Sequence, residues 1–446
     1  MAKRQPNPSL AALLTESQFT QGAFARAVNA VGTETGRPTK YSQPSVSQWV
    51  GGTAPEALTQ AAILEVLTRR LGRLVTHSEA GFPPPADQPD GPTGTVAGLI
   101  ELGRQDMDPS RRGVLGASLF AVALTVPGWQ DVLARAESIR HGQTIRIGMP
   151  EVASVVAMTE RLSSLDDEFG GRAARPMAAS YLVNTVGPYL HAEAPDAVRK
   201  AMMSAASDLC YLTGYMAVDE GLHGLAQRYY VKALELAGVA EDHLTYCTTL
   251  RGMSVQAVDL GHGRRAMQLA DAAAAASPVA GPRMRAFLAG QQAHSAAVSG
   301  DSAAALRHLA EAERAMEVAE SESKAFGSYD PSSLNYHVSQ VRYAIKDVAG
   351  SVAAMLESDR LRYSVYQRGR VRHRAMLAER QLQLGYLEEA CRTWHLALDD
   401  YPKVQSGRAD DRMRAMMGLL AAHPRNSHVR SLYERARTLV PARLTT

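Results

Sequence analysis

The chain has 446 residues, of which 46% are hydrophobic and 21% charged, with a formal net charge of +3. This length exceeds one ordinary core and implies two or more domains, and the apolar content is enough to fold most of the chain. Cys210, Cys247 and Cys391 stand far apart with no CxxC pair. That spacing suggests neither a zinc knuckle nor a disulfide framework and suits three small core residues.

The charge is uneven. Residues 1–81 hold eight Lys or Arg and five Glu, so the whole excess of +3 lies there and the remainder is neutral. A mildly basic head on a neutral body suits contact with nucleic acid by the head. The N-terminus Met1-Ala2-Lys3-Arg4 is followed by no long apolar run, so it is not a secretory signal. The longest apolar stretch, Gly113 to Val126, falls short of the ~20 residues of a membrane span. These readings imply a cytoplasmic protein without a membrane partner.

Taken in order, Ser9 to Leu14 reads as a short helix. Thr20 caps a second helix whose apolar stripe is Phe24, Ala27, Val28 and Val31. An insert from Gly32 to Lys40 carries turn signals at Gly36 and Pro38. Ser42 is expected to cap a third helix with Pro44 in its first turn. On that helix Val46, Trp49 and Val50 can face the core, leaving Gln43, Ser45, Ser47 and Gln48 facing outward. Gly51-Gly52 stops it, and a fourth helix is expected from Pro55 to about Leu74.

Residues 82–95 form a linker dense in proline and glycine. A helical connector follows over 96–145, with helices expected at Val96 to Arg104, Pro109 to about Thr125, and Gln130 to Ile139. Ser110-Arg111-Arg112-Gly113 ahead of an apolar run looks like a twin-arginine export signal, but it lies deep in the chain. Asp108 as a cap, with Pro109 in the first turn, explains it better as a helix start.

From residue 146 to 446 the pattern is helix after helix, self-similar at about 40 residues. Gly221, Gly261, Gly300 and Gly385 are each followed five residues later by alanine: Ala226, Ala266, Ala305 and Ala390. Four and seven residues further stand Tyr230/Ala233, Ala270/Ala273, Leu309/Ala312 and Trp394/Ala397. Each glycine would end one helix with φ > 0, and each alanine would let the next helix approach closely. Gly214, seven residues before Gly221, is the small position on the preceding helix. A degenerate copy runs through Asp347 to Ser351. From about Ala205 to Pro402 this resembles the tetratricopeptide repeat, with longer spacings than that family's. Glu151 to Ser204 and Asp410 to Ala442 would be flanking or capping helices.

The N-terminal segment, over about residues 8–75, resembles the lambda-repressor-like (xenobiotic-response-element) helix-turn-helix family. Thr20-Gln21 and then Ser42, Val46, Ser47, Trp49, Gly52 and Pro55 stand at or next to that family's motif positions. The departure is the long insert between the second and third helices. The fold class expected is therefore all-α: a helix-turn-helix domain followed by an α-solenoid of tetratricopeptide-like helix pairs.

The resemblance implies that the third helix enters the major groove, with Gln43 and Gln48 as base readers. Ser42, Ser45 and Ser47 would reach bases or phosphates, and Gln21 would touch phosphate. Arg26, Arg37 and Lys40 would add nonspecific, salt-dependent attraction. The repeat register implies an inner face with Tyr211, Tyr215, Arg251, Val255, Gly290, His294, Tyr336, Gln340, Ala375 and Glu379. Of these, Tyr211, Tyr215, Arg251, His294, Tyr336 and Gln340 are the candidate ligand contacts. Together the halves resemble regulators of Gram-positive bacteria, especially an actinobacterial group tied to development and secondary metabolism. Related members bind a signal peptide and dimerise. The implied partners are double-stranded DNA, a second copy of the chain, and a peptide or small-molecule effector, with no cofactor.

No HExxH, phosphate loop or catalytic triad spacing is present, so an enzyme is not expected. The competing expectation is a protein-interaction scaffold whose helix-turn-helix domain does not bind DNA.

Overall fold

In the computed structural model, residues 6–34, 39–71, 75–83, 94–107, 146–276, 280–319 and 329–441 are described. Among them the protein is all-α, with one isolated bridge, Arg146 to Glu193, and no named strand. The expected helices at Pro109 to Thr125 and Gln130 to Ile139, together with the export-like motif, lie outside the described residues.

The N-terminal unit contains α1 (Pro8–Glu16), α2 (Gln21–Glu34), α3 (Gln43–Val50) and α4 (Ala57–Leu71). Its core runs from Leu10 to Phe82 and includes Phe24, Val28, Val46, Trp49, Ile63 and Leu67. Thr20 caps α2, its hydroxyl accepting from the Ala23 amide at 3.2 Å. Ser42 is the N-cap of α3, as expected, and its amide donates to Ser45 Oγ at 3.3 Å, the reciprocal bond of a capping box. Helix α2 also runs to Glu34, so the start of the expected insert is helical.

After α5 (Thr95–Met107), the body begins with α6 (Met149–Phe169) and α7 (Gly171–Tyr181), which continues through a π-helical turn, Leu182–Val186, into α8 (Gly187–Leu190). Five consecutive helix pairs follow in the described chain. They are α9 (Asp196–Asp219) with α10 (His223–Ala240), α11 (His243–Asp259) with α12 (Gly263–Ala275), and α13 (Pro282–Ser299) with α14 (Ser302–Glu317). Then come α15 (Pro331–Ala344) with α16 (Val348–Leu361), and α17 (Gln367–Gln383) with α18 (Leu387–Asp400). A 3₁₀ turn, Tyr401–Lys403, leads to α19 (Gly407–Leu420) and α20 (Ser427–Leu439).

The turn inside four of these pairs is made by the glycines singled out in the sequence. Gly221, Gly261, Gly300 and Gly385 have φ of 80°, 78°, 94° and 85°. In the fourth pair Lys346 takes that place at φ 74°, a conformation that costs a side-chain-bearing residue ~1 kcal/mol or more. Ala226, Ala266, Ala305 and Ala390 are fully buried at the crossings. Tyr230 and Trp394 are fully buried above them. At Gly214 an added Cβ would come within 2.8 Å of the Tyr230 ring, so helix approach there demands glycine. The degenerate copy substitutes polar closure for small apolar packing. Ser339 and Ser351 face each other at 3.1 Å and donate to each other's backbone carbonyls.

Helix α5 docks on α7 and α10 through a buried charge cluster. Arg175, 1% exposed, pairs with Asp106 and, at 2.5 Å, with Glu220. The Tyr229 hydroxyl donates to Asp106 at 3.0 Å. A buried arginine is tolerable here because two carboxylates meet it.

Two glycine substitutions test this packing in opposite directions. Gly214→Ala should destabilise the protein by ~1–3 kcal/mol through overpacking. Gly418→Ala, at an exposed helical site with open space around it, should stabilise by up to ~1 kcal/mol. Urea unfolding followed by circular dichroism distinguishes them, and equal effects would contradict the packing described.

Candidate functional sites

The first site is the outer face of α3. Val46 is 0% and Trp49 6% exposed, so one side of this short helix is fixed in the core. The Tyr41 ring meets Trp49 edge-on at 5.0 Å. Asn29 pins the incoming chain to α2: its amide donates to the Tyr41 carbonyl, and its oxygen accepts from the Tyr41 amide, each at 2.8 Å. Its oxygen also accepts from Thr39 Oγ1 at 2.8 Å. The sequence signals for this tie are an asparagine in an apolar helix and a tyrosine just before the cap, neither of which belongs to the helix-turn-helix motif positions.

On the opposite side Ser42, Gln43, Ser47 and Gln48 are exposed and Ser45 is half-buried. Gln21, at the first turn of α2, accepts from Ser47 Oγ at 2.6 Å. That bond ties the start of α2 to α3 and presents both to one surface. Arg26 and Lys40 are exposed. Arg37 lies outside the described residues.

The second site is a cleft of about 490 Å³ in the body. Its walls come from α6, from the first helix of each pair (α9, α11, α13, α15, α17), and from the segments leading into α15 and α17. Tyr211, Tyr215 and Asp219, then Arg251, Val255 and Asp259, recur at i, i+4 and i+8, so one stripe of each helix faces in.

Five of the six expected contacts, Tyr211, Tyr215, Arg251, His294 and Tyr336, line this cleft. Gln340 is not among its lining residues. Its carboxamide is held by Arg380 and by the Tyr336 hydroxyl, the latter at 2.9 Å, one turn away from the opening. Of the other register positions, Val255 lines the cleft, whereas Ala375 is packed in the core around Trp394. In α17 the inward positions are Arg368, Arg372 and His373.

The cleft is closed by α6 against α17. Arg368 reaches Asp166 and Asp167 at 3.0 Å each and Asp219 at 3.7 Å. Arg372 meets Asp259 at 2.9 Å, and Arg408 from α19 takes the other carboxylate oxygen. Burial alone would push the Asp259 carboxyl up, but Arg408 and Arg372 outweigh it and hold it at about 2. At Asp166 burial wins over Arg368, raising the carboxyl to about 7. None of the α6 residues was foreseen, because nothing in a flanking helix's own spacing says which distant helix it meets.

Aromatic and imidazole rings fill the remaining wall. Tyr336 stacks on His373 at 4.3 Å and 11°. The Tyr329 hydroxyl lies 2.7 Å from His337 Nδ1. The Arg251 guanidinium lies 4.0 Å from the centre of the Phe287 ring. Burial lowers the His294 imidazole to about 4, against the opposing charge of Asp259, and burial with nearby arginines pushes His337 and His373 well below the ordinary value. These imidazoles are neutral near pH 7.

Among the described residues no helix is long and apolar enough to cross a membrane, and no cluster of His, Cys, Asp or Glu could hold a metal ion. All three cysteines are buried.

Residues 10–83 match a family described as the SP15 N-terminal domain. That stretch coincides with the separately cored N-terminal unit, Leu10 to Phe82. No curated protein matches the chain.

His294 offers a direct check on the electrostatics of the cleft. Its ring signals should titrate near pH 4 by NMR. Since the unfolded imidazole protonates near 6.5, the stability that its neutral form contributes is lost as pH falls from about 6.5 toward 4. A midpoint near 6.5 would place His294 in solvent instead.

Proposed function

We propose that the chain is a sequence-specific DNA-binding transcription regulator, non-enzymatic and cytoplasmic. In this reading the body is a tetratricopeptide-like solenoid whose cleft takes an effector. The observation that carries it is α3. Val46 and Trp49 anchor one face, while Gln43 and Gln48 stand exposed on the other. That is what a recognition helix requires, since a glutamine amide can pair bidentately with adenine only if it is uncommitted on the protein. Gln21 and Ser47, bonded to each other at 2.6 Å, sit where a phosphate would fall beside the helix dipole of α2. Arg26 and Lys40 supply the salt-dependent term.

The solenoid reading is supported by positive-φ glycines between paired helices, buried alanines at the crossings, and a cleft lined by the first helix of each pair. An effector held there acts by favouring one arrangement of the heads over another. A homodimer follows from the same reading, because one short helix reads few base pairs and paired half-sites need two heads.

The test is an electrophoretic shift with DNA from the gene's own upstream region, at low salt and with about 300 mM salt added. The wild type should give a discrete band that resists nonspecific competitor and weakens with salt. Gln43→Ala combined with Gln48→Ala should abolish that band while leaving the thermal midpoint nearly unchanged, because both side chains are exposed. An unaltered footprint in the double variant would exclude α3 as the reading helix. Absence of any specific band from wild-type protein would favour a protein-interaction scaffold.

A further inference from the structure

The cleft holds many charges, but most are already spent on one another. Asp166, Asp167 and Asp219 share Arg368, while Asp259 is shared by Arg372 and Arg408. Asp330 accepts from the Ser333 amide at 2.7 Å as the cap of α15. Glu160 is exposed at the rim. Two lining arginines are different. Among the described residues neither Arg251 nor Arg362 has a carboxylate within ion-pairing distance, and the Nε of each is buried with no hydrogen-bond partner. The three lining imidazoles are neutral and add no positive charge of their own. Carboxylates outnumber guanidiniums in the lining as a whole, but Arg251 and Arg362 are the lining cations that no carboxylate pairs with among the described residues.

Arg251 is the better placed of the two. Its guanidinium lies 4.0 Å from the centre of the Phe287 ring. A guanidinium held on an aromatic ring keeps its donors for a planar acceptor beside it. Around it stand Tyr211, Tyr329, His294 and His337, so the surroundings are rings rather than acids. A buried donor without an acceptor is unusual in a folded protein; the Arg251 Nε is one, while the same guanidinium is hydrogen-bonded with Tyr211 and the residue lines a space of about 490 Å³.

We propose that the cleft binds a small aromatic anion, a carboxylate or phosphate monoester, whose charged group is held by Arg251 and whose ring packs among the tyrosines. This rests on reading the cleft as the effector site and names the chemistry of that effector. Arg362, whose Nη2 donates to Ser358 Oγ at 3.3 Å and whose Nε has no partner among the described residues, is a second lining cation without a carboxylate ion pair, so a ligand with two anionic groups would bind more tightly than one with a single group.

Calorimetric titration of the full-length protein at neutral pH tests this with benzoate, phenyl phosphate, inorganic phosphate, benzamide and benzylamine. Benzoate and phenyl phosphate should bind, with neutral benzamide at least roughly tenfold weaker. Weaker binding of inorganic phosphate assigns part of the affinity to the ring; equal binding overturns the aromatic requirement. Arg251→Gln should weaken the anions by about 10- to 100-fold. Arg251→Lys, which keeps the charge and loses the fork, should fall between; it replaces the glutamine variant if that one fails to fold. Arg264→Gln, an exposed site outside the cleft, should change nothing. Equal binding of benzamide and benzoate, tightest binding of benzylamine, or anion affinity untouched by loss of Arg251 would each overturn the proposal while leaving the cleft as a ligand site. If no probe binds at ~10 mM, the effector chemistry is wrong, and the DNA-shift result stands or falls separately.

Discussion

The body depends on the pairing of two carboxylates that end helices. Asp219 is the last residue of α9 and Asp259 the last of α11, equivalent places in successive pairs. A carboxylate there opposes the helix dipole, and Asp219 is 1% exposed. Each is offset by arginines from far along the chain: Arg368 for Asp219, Arg372 and Arg408 for Asp259. Ser406 also donates to Asp219 at 2.8 Å. These bonds draw the last helices onto the first ones. Removing one partner from such a group typically costs ~3–5 kcal/mol, because the other charge is left unpaired.

The cleft follows from that closure. Had the pairs stacked as an open array, the inner stripes of α9 to α17 would face solvent along one concave side. With α6 against α17 they enclose a bounded space. Its chemistry is then set by which arginines the closure uses. Arg368, Arg372 and Arg408 hold the body together through carboxylates, and Arg251 and Arg362 line the cleft without a carboxylate ion pair among the described residues. Arginines that hold the body together and arginines that only line the cleft differ by which carboxylates lie within reach.

In the head the equivalent division is between faces of one eight-residue helix. Trp49 and Val46 give α3 its position, and Tyr41 with Asn29 fixes the turn that delivers it. The polar side chains of Gln43 and Gln48 are thereby left uncommitted. An insert between α2 and α3 is tolerable because Asn29 reties the chain to α2 before α3 begins.

Local rules were legible in the sequence wherever one residue decides one conformation. The positive φ of Gly221, Gly261, Gly300 and Gly385, the buried alanines after them, the cap at Thr20 and the buried face of α3 depend on short-range sterics and periodicity, which spacing reveals. The five cleft residues named from the register were found in the same way. The placement of Gln340 against Arg380, the inward turn of Arg368 and Arg372, the α6 wall and the pairing of Asp219 and Asp259 were decided by tertiary structure alone. Each joins residues that lie many helices apart or depends on the exact rotation of a helix. A stripe of charges along a chain does not say which partner will satisfy it, and only the closed packing determines which cations remain unpaired.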